Sequence, residues 1–296
     1  MPLRVYGRQT VAVRRVLVAV CVALVLLALP PRTRAGGTLD LGPFAKLRNG
    51  PYGGSIWRGV IPGAVRKSAL YLPPHFVSGR RYPVVYLLHG MPGSPWSYLN
   101  SLSLATLADD LIARHESGPF VAVVPVAGPT GHYDGEWAGE WEQYLVQKVV
   151  PWVDAHLPIA RVAAERTIAG LSAGGYGAVD IGLRHPRLFG RLESWGGYFS
   201  PFHDGSLASA DSGQLTAHDP SSLVVREAPL LRRLGTRVFL SCGTTHDRET
   251  AAGTKAFAGE LRALRIPHEL VLAPGGHDGA FWRRQLPAAL AYALAG

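Results

Sequence analysis

Cysteine is scarce in this chain: Cys21 and Cys242 are the two among 296 residues. A disulfide-stapled scaffold is therefore excluded, and the missing C-x-x-C spacing removes zinc ribbons and thioredoxin-like redox motifs. There is no H-E-x-x-H, no lysine placed as in a Walker loop and no G-x-G-x-x-G, so the usual zinc-protease and nucleotide-binding signatures are lacking. No apolar run reaches the roughly 20 residues that span a bilayer. Internal repeats and low-complexity tracts are also missing. The first 35 residues contain no acid.

That last absence explains the charge. The chain carries 30 basic and 21 acidic residues, a formal net charge of +9. Arg4, Arg8, Arg14, Arg15, Arg32 and Arg34 all precede Gly36. Removing these six leaves 24 basic against 21 acidic residues, or +3. The basicity belongs mostly to the leader, which argues against a nucleic-acid footprint.

Within that leader, arginines precede an unbroken apolar stretch of 14 residues, Val16 to Leu29, followed by Pro30-Pro31 and Thr33-Arg34-Ala35. A signal peptide has an h-region of about 7–15 residues and a small residue at its cleavage site. Residues 1–35 are expected to be a signal peptide cut after Ala35, with an uncleaved N-terminal membrane anchor as the alternative. Arg14-Arg15 is a weak twin-arginine signal, and Val20 before Cys21 disfavours a lipid-attachment site. Cleavage would leave Cys242 as the sole cysteine, so stability must come from the core. At 296 residues and 47% hydrophobic, the chain can bury one large domain, placed at residues 36–296.

The remaining pattern is strand–helix alternation. Gly36 to Gly54 reads as an irregular lead-in. Strands are expected at Ser68–Leu72, Pro83–His89, Phe120–Val126, Glu165–Ala169, Leu192–Trp195, Thr236–Cys242 and His268–Leu272. Helices are expected at Leu102–His115, Trp141–His156 (kinked or restarted by Pro151), Ala173–Arg184 and Phe281–Ala295, with another through Phe257, Leu261 and Leu264. The strands are short apolar runs suited to a buried parallel sheet with helices on both faces. Ser200 to Leu234, rich in Ser, Asp, Gly and Pro, reads as a surface or cap-like loop.

Gly170-Leu171-Ser172-Ala173-Gly174 is a G-x-S-x-G between a strand and a helix, the setting of a nucleophile elbow. The competing reading, a phosphate-cradling turn, lacks its lysine. A serine hydroxyl needs a base, and His277 in Gly275-Gly276-His277-Asp278, after the last strand, is placed to return over the elbow. The acid should follow the preceding strand, where Asp247 is favoured and Glu249 is its rival. Asp278, next to His277, would have to fold back on its neighbour. Oxyanion donors are expected from the N–H groups of Ala173 and Met91, since Pro92 has none. His89 shapes its loop and does no acid–base work. Five His-Asp combinations (His132 with Asp134, His203-Asp204, His218-Asp219, His246-Asp247, His277-Asp278) lack metal-ligand spacing, so no metal is expected.

LLHG, GLSAGGYGA, SCGTTHD and PGGHDGAFW together resemble the putative-esterase family, which includes feruloyl and acetylxylan esterases, S-formylglutathione hydrolases and mycolyltransferases. The resemblance runs from about Tyr71 to the C-terminus. It implies an α/β-hydrolase fold without a large lid, cofactor-free serine esterase chemistry, and Ser172, Asp247 and His277 as the matched triad. The acid loop is one residue longer than the usual G-T-x-D, so Asp247 takes the place where His246 would otherwise fall. Trp195-Gly196-Gly197-Tyr198-Phe199-Ser200-Pro201 resembles a pocket-lining loop of that family. Tyr133, Trp137, Trp195 and Tyr198 are candidates for an aromatic substrate pocket, with simple packing as the alternative. The expected substrate is a small-molecule or carbohydrate ester, with no nucleic-acid partner and membrane contact only through an anchor. Acyl transfer to an envelope sugar uses the same residues as hydrolysis. A binding protein on a hydrolase fold is the non-enzymatic alternative.

Export is expected to yield a chain beginning near Gly36, outside the cytoplasm. Intact mass of secreted material tests this, and a full-length, membrane-retained product would favour the anchor.

Overall fold

Val84-Val85-Tyr86-Leu87-Leu88 has no polar residue, and all five are buried. A strand that is apolar on both faces must be covered on both faces. Val84, Tyr86 and Leu88 point into one hydrophobic cluster, while Val85 and Leu87 point into the other. Each such side chain contributes about 1.5–3 kcal/mol when fully buried. The computed structural model describes residues 41–127, 136–245 and 247–295. The leader therefore lies outside the described residues.

Nine strands form one sheet: β1 (Ala45–Asn49), β2 (Ser55–Gly59), β3 (Ser68–Leu72), β4 (Val84–Leu88), β5 (Val121–Val124), β6 (Arg166–Leu171), β7 (Arg191–Trp195), β8 (Arg237–Gly243) and β9 (His268–Ala273). Their order is β1-β2-β3-β5-β4-β6-β7-β8-β9. The pairs from β1 to β3 and β3 with β5 are antiparallel, and the other five are parallel. One face packs on α1 (Leu104–Ala113) and α8 (Gly279–Leu294). The other packs on α2 (Glu140–Tyr144), α3 (Val150–His156), α4 (Ala173–Arg184), α6 (Pro220–Leu234) and α7 (Arg248–Ala263). The expected α/β layering is present. Among the described residues no helix is long and apolar enough to cross a membrane.

Two sequence expectations are corrected. The lead-in holds β1 and the turn into β2. All five residues of β1 are exposed, so no buried alternation marked it, and pairing with β2 makes it a strand. The stretch from Ser200 to Leu234 contains α5 (Ser212–Ala217) and the 15-residue α6. α6 starts with Asp219 accepting from Ser222 N and Pro220 in the first position, and ends on left-handed Gly235. Pro229 obscured it. Four residues earlier Val225 is 59% exposed, so the carbonyl released by the proline lies on the solvent side. Pro151 behaves as expected: a π-helical turn, Leu145–Val149, follows α2, and α3 restarts with Pro151 near its beginning.

Asp109 of α1 ties the antiparallel edge to the core. It is fully buried and accepts from Tyr52 N (2.9 Å), Gly54 N (3.1 Å) and Tyr71 Oη (2.7 Å). Burial, followed by the neighbouring Asp109, pushes the Tyr71 hydroxyl far above its ordinary range. Asp109→Ala strands three donors and is expected to cost about 2–4 kcal/mol in urea unfolding. Asp109→Asn, which keeps an acceptor, is expected to cost less.

Candidate active site

The chain passes from β4 to β5 on one side and then to β6 on the other, so the loops after β4 and β6 diverge. In open α/β sheets the crevice at the carboxyl ends of such strands is where ligands bind. β6 ends at Leu171 and α4 begins at Ala173, which leaves one residue, Ser172, to turn the chain. Its backbone is at φ 55°, ψ −125°, a region that side-chain-bearing residues rarely adopt. The flanking glycines are steric requirements. A Cβ on Gly170 would lie 2.1 Å from the Gly174 carbonyl oxygen, and one on Gly174 would lie 2.1 Å from that of Leu88. Hydrogen bonds hold the turn: Ser172 N donates to Trp195 O (3.0 Å), and Gly175 N donates to Ser172 O (2.8 Å).

Two loops bring a histidine and a carboxylate to the serine. His277, between β9 and α8, places Nε2 2.9 Å from Ser172 Oγ. Its Nδ1 lies 2.9 Å from Asp247 Oδ2, on the loop after β8. The His277 ring also meets Trp282 edge to face, with centroids 5.0 Å apart. Asp247 precedes α7 but its side chain does not cap that helix. It instead faces His277 and accepts a long contact from the Cys242 thiol (3.6 Å). Burial, then the neighbouring Asp247, pushes that thiol up to about 12. Glu249 is exposed in the first turn of α7 and makes no hydrogen bond or ion pair among the described residues. Asp278 caps α8 by accepting from Phe281 N (2.9 Å). His246 lies outside the described residues.

A cleft of about 280 Å³ opens at Ser172 and His277, walled by Met91, Leu102, Leu171 and Trp282. The sequence reading missed Leu102 and Trp282. Trp282 stood inside the PGGHDGAFW motif, where its place five residues after His277 was the available signal. Leu102 comes from a distant loop and carried no such signal.

The aromatic candidates are redistributed. Trp137 is fully buried. Its indole donates to His89 O (2.9 Å), and it fills the space at Gly177, where a Cβ would come within 2.3 Å of it. Trp195 is a core residue whose indole donates to Glu193 Oε2 (3.0 Å). Burial holds the Glu193 carboxyl well above the ordinary range. Neither tryptophan lines the cleft, and Trp137 takes the room that Gly177 leaves on α4. Tyr198 is half-buried, stacks on Tyr176 and donates to Glu136 Oε2 (2.7 Å). Glu136, fully buried, also accepts from Phe202 N (3.0 Å), and burial raises its pKa to about 7. Tyr133 lies outside the described residues.

His89 is buried between Gly90 O at Nδ1 (3.1 Å) and Ala127 N at Nε2 (3.3 Å). Burial lowers its pKa to about 4, so the neutral ring braces the loop after β4. Of the His-Asp combinations, His218 pairs with Asp180 (2.9 Å), leaving Asp219 to cap α6. Glu142, Asp180 and His218 offer ligand atoms within 4.8 Å of one another. One Glu142 oxygen already accepts from Arg184 Nε (3.0 Å) and faces His185 Nε2 (2.7 Å), so the cluster reads as an internal network joining α2, α4 and the turn before α6. His132 and Asp134 lie outside the described residues.

Comparison with known proteins agrees with this architecture. Over 231 residues the chain is 27% identical to Esterase Rv1288 of Mycobacterium tuberculosis, covering 68% of this chain and 49% of that one. It is 26% identical over 237 residues to an endo-1,4-beta-xylanase/feruloyl esterase of Xylanibacter ruminicola, covering 76% of this chain and 28% of that one. The chain thus spans about half and about a quarter of these relatives. A solved ferulic acid esterase superposes with a TM-score of 0.68 at 22% identity, over 81% of this chain and 97% of that one, which shows the α/β-hydrolase fold. The profile of the Putative esterase family matches residues 61–293, and the chain belongs to that family.

Proposed function

We propose that the protein is an exported serine esterase that hydrolyses carboxylic esters through an acyl-enzyme on Ser172. The observation that carries this reading is the pair of 2.9 Å contacts running from Ser172 Oγ through His277 to Asp247. As His277 Nε2 takes the hydroxyl proton, Oγ attacks the ester carbonyl carbon. Asp247 accepts the Nδ1–H, holding one tautomer and stabilising the imidazolium that forms. The oxyanion lies against the N–H groups of Ala173 and Met91. Ala173 is the first residue of α4, and a helix leaves its first N–H groups without intrahelical partners. His277 returns its proton to the departing alcohol. Water, activated by the same imidazole, then attacks the acyl carbon and releases the acid. This cycle uses no metal or cofactor.

Hydrolysis is favoured over acyl transfer by the openness of the site. The His277 side chain is 38% exposed, so water reaches the acyl-enzyme freely. The family and the relatives' names support ester substrates. The leader supports export.

Ser172→Ala is expected to lower kcat for a nitrophenyl ester by several orders of magnitude without altering the fold. Retention of more than about 1% of turnover would remove Ser172 as nucleophile.

Asp247→Asn keeps the shape but removes the charge and favours the wrong tautomer, so kcat should fall roughly 10³–10⁴-fold. Glu249→Gln should cost less than about tenfold. Kinetics of the two variants decide the acid, and a reversed order would transfer the role to Glu249.

A further inference from the structure

A second groove, of about 360 Å³, lies across the segment Ser94–Ser97 from the cleft. Ser97 lines the cleft, while Trp96 and its two predecessors line the groove, opposite Arg58, Arg66 and Lys67. The linings of the two spaces thus meet at neighbouring residues of one segment. The three cationic side chains make no ion pair or hydrogen bond among the described residues. Arg58 is the telling member. Its guanidinium sits over the Trp96 ring at 4.3 Å, and its Nε is buried without a partner. Burial lowers its pKa, the mark of a cation partly stripped of water with no counter-charge supplied among the described residues. An anion delivered to the groove would offset that cost.

The surrounding sequence does nothing to neutralise this charge. Residues 41–108 include Lys46, Arg48, Arg58, Arg66, Lys67, Arg80 and Arg81 but not one Asp or Glu. Three of these seven cations, Arg58, Arg66 and Lys67, line the groove, even though the chain beyond the leader is nearly balanced. After burial, the charge of Arg66 contributes to depressing the pKa of His89, which braces the loop carrying Met91. Trp96 is 37% exposed and offers an edge against which a planar group or sugar ring packs. Leu102, Leu171 and Trp282 beside Ser172 suit an acyl chain, which leaves the charged groove for the alcohol part of the ester.

We propose that the groove formed by Arg58, Arg66, Lys67 and Trp96 is an anion-binding subsite that selects esters whose alcohol part carries a carboxylate or a phosphate. This deepens, and rests on, the reading of Ser172 as an esterase nucleophile. The test compares kcat/KM of the full chain for acetyl esters of methyl glucoside, methyl glucuronide and glucose 6-phosphate. At low ionic strength the charged esters should exceed the neutral one at least about fivefold, and the preference should fade with added salt. Whether the uronate or the phosphate gains more distinguishes the two anions. In Arg66→Gln/Lys67→Gln, both exposed positions, and separately in Arg58→Gln, the charged-to-neutral ratio should fall toward one. Equal values for all three esters in the wild type, or a ratio unmoved in both variants, would overturn the subsite while leaving the esterase reading intact. If no ester is turned over, 4-nitrophenyl acetate included, the esterase reading itself fails. The groove is then judged by titrating the wild-type chain with methyl glucuronide and with inorganic phosphate. Saturable binding lost in the variants supports an anion site, and no binding overturns it.

Discussion

β6 runs into α4 with a single residue between them, and there is no spare volume at the junction. The Gly174 backbone lies against the Leu88 carbonyl of β4, and Gly170 lies against Gly174 itself. Ser172 can complete this turn only in a left-handed conformation, so its strain is held in place by the packing of both elements. Because β4 and β6 are adjacent and parallel, the same crowding brings the loop after β4, with Met91, to the rim of the cleft at Ser172. The rest of the site is arranged around a serine whose position the sheet dictates.

Buried polar groups hold the loops that surround it. Asp109 fastens the antiparallel edge, Glu136 fastens the segment from Tyr198 to Phe202, and the Asp180–His218 pair fastens the turn ahead of α6. Each satisfies backbone or side-chain donors that would otherwise be stranded away from water. Behind Ser172 the support is layered: its N–H donates to the Trp195 carbonyl, and the Trp195 indole donates to Glu193 in the core. The tryptophans near the elbow therefore act by filling and bracing, and among the described residues the cleft takes its indole wall from Trp282.

Charge is distributed unevenly in the sequence and unevenly in space. The leader carries six arginines and no acid, the acid-free stretch before Asp109 carries seven basic residues, and three of those seven line the groove beside the cleft. Net charge alone gave no sign of this, since the acids of the later strands and helices cancel it in the sum.

The sequence by itself determined the parallel core and the elbow. Uninterrupted apolar strands demand cover on both faces, and glycine on each side of Ser172 is demanded by contact distances that no other residue meets. It also placed His277 after the last strand and narrowed the acid to two residues of one loop. The tertiary structure decided what depends on partners distant in sequence. The exposed strand β1 exists only through its pairing with β2, and α6 keeps Pro229 because that turn faces solvent. Asp247 rather than Glu249 faces His277 because the residue just before α7 leaves its helix uncapped and turns to the imidazole, while Glu249 in the first turn points to water. Trp137 went to the core for a similar reason: its ring takes the volume that Gly177 leaves, and that volume appears only when the helix α4 has met the segment that carries Trp137.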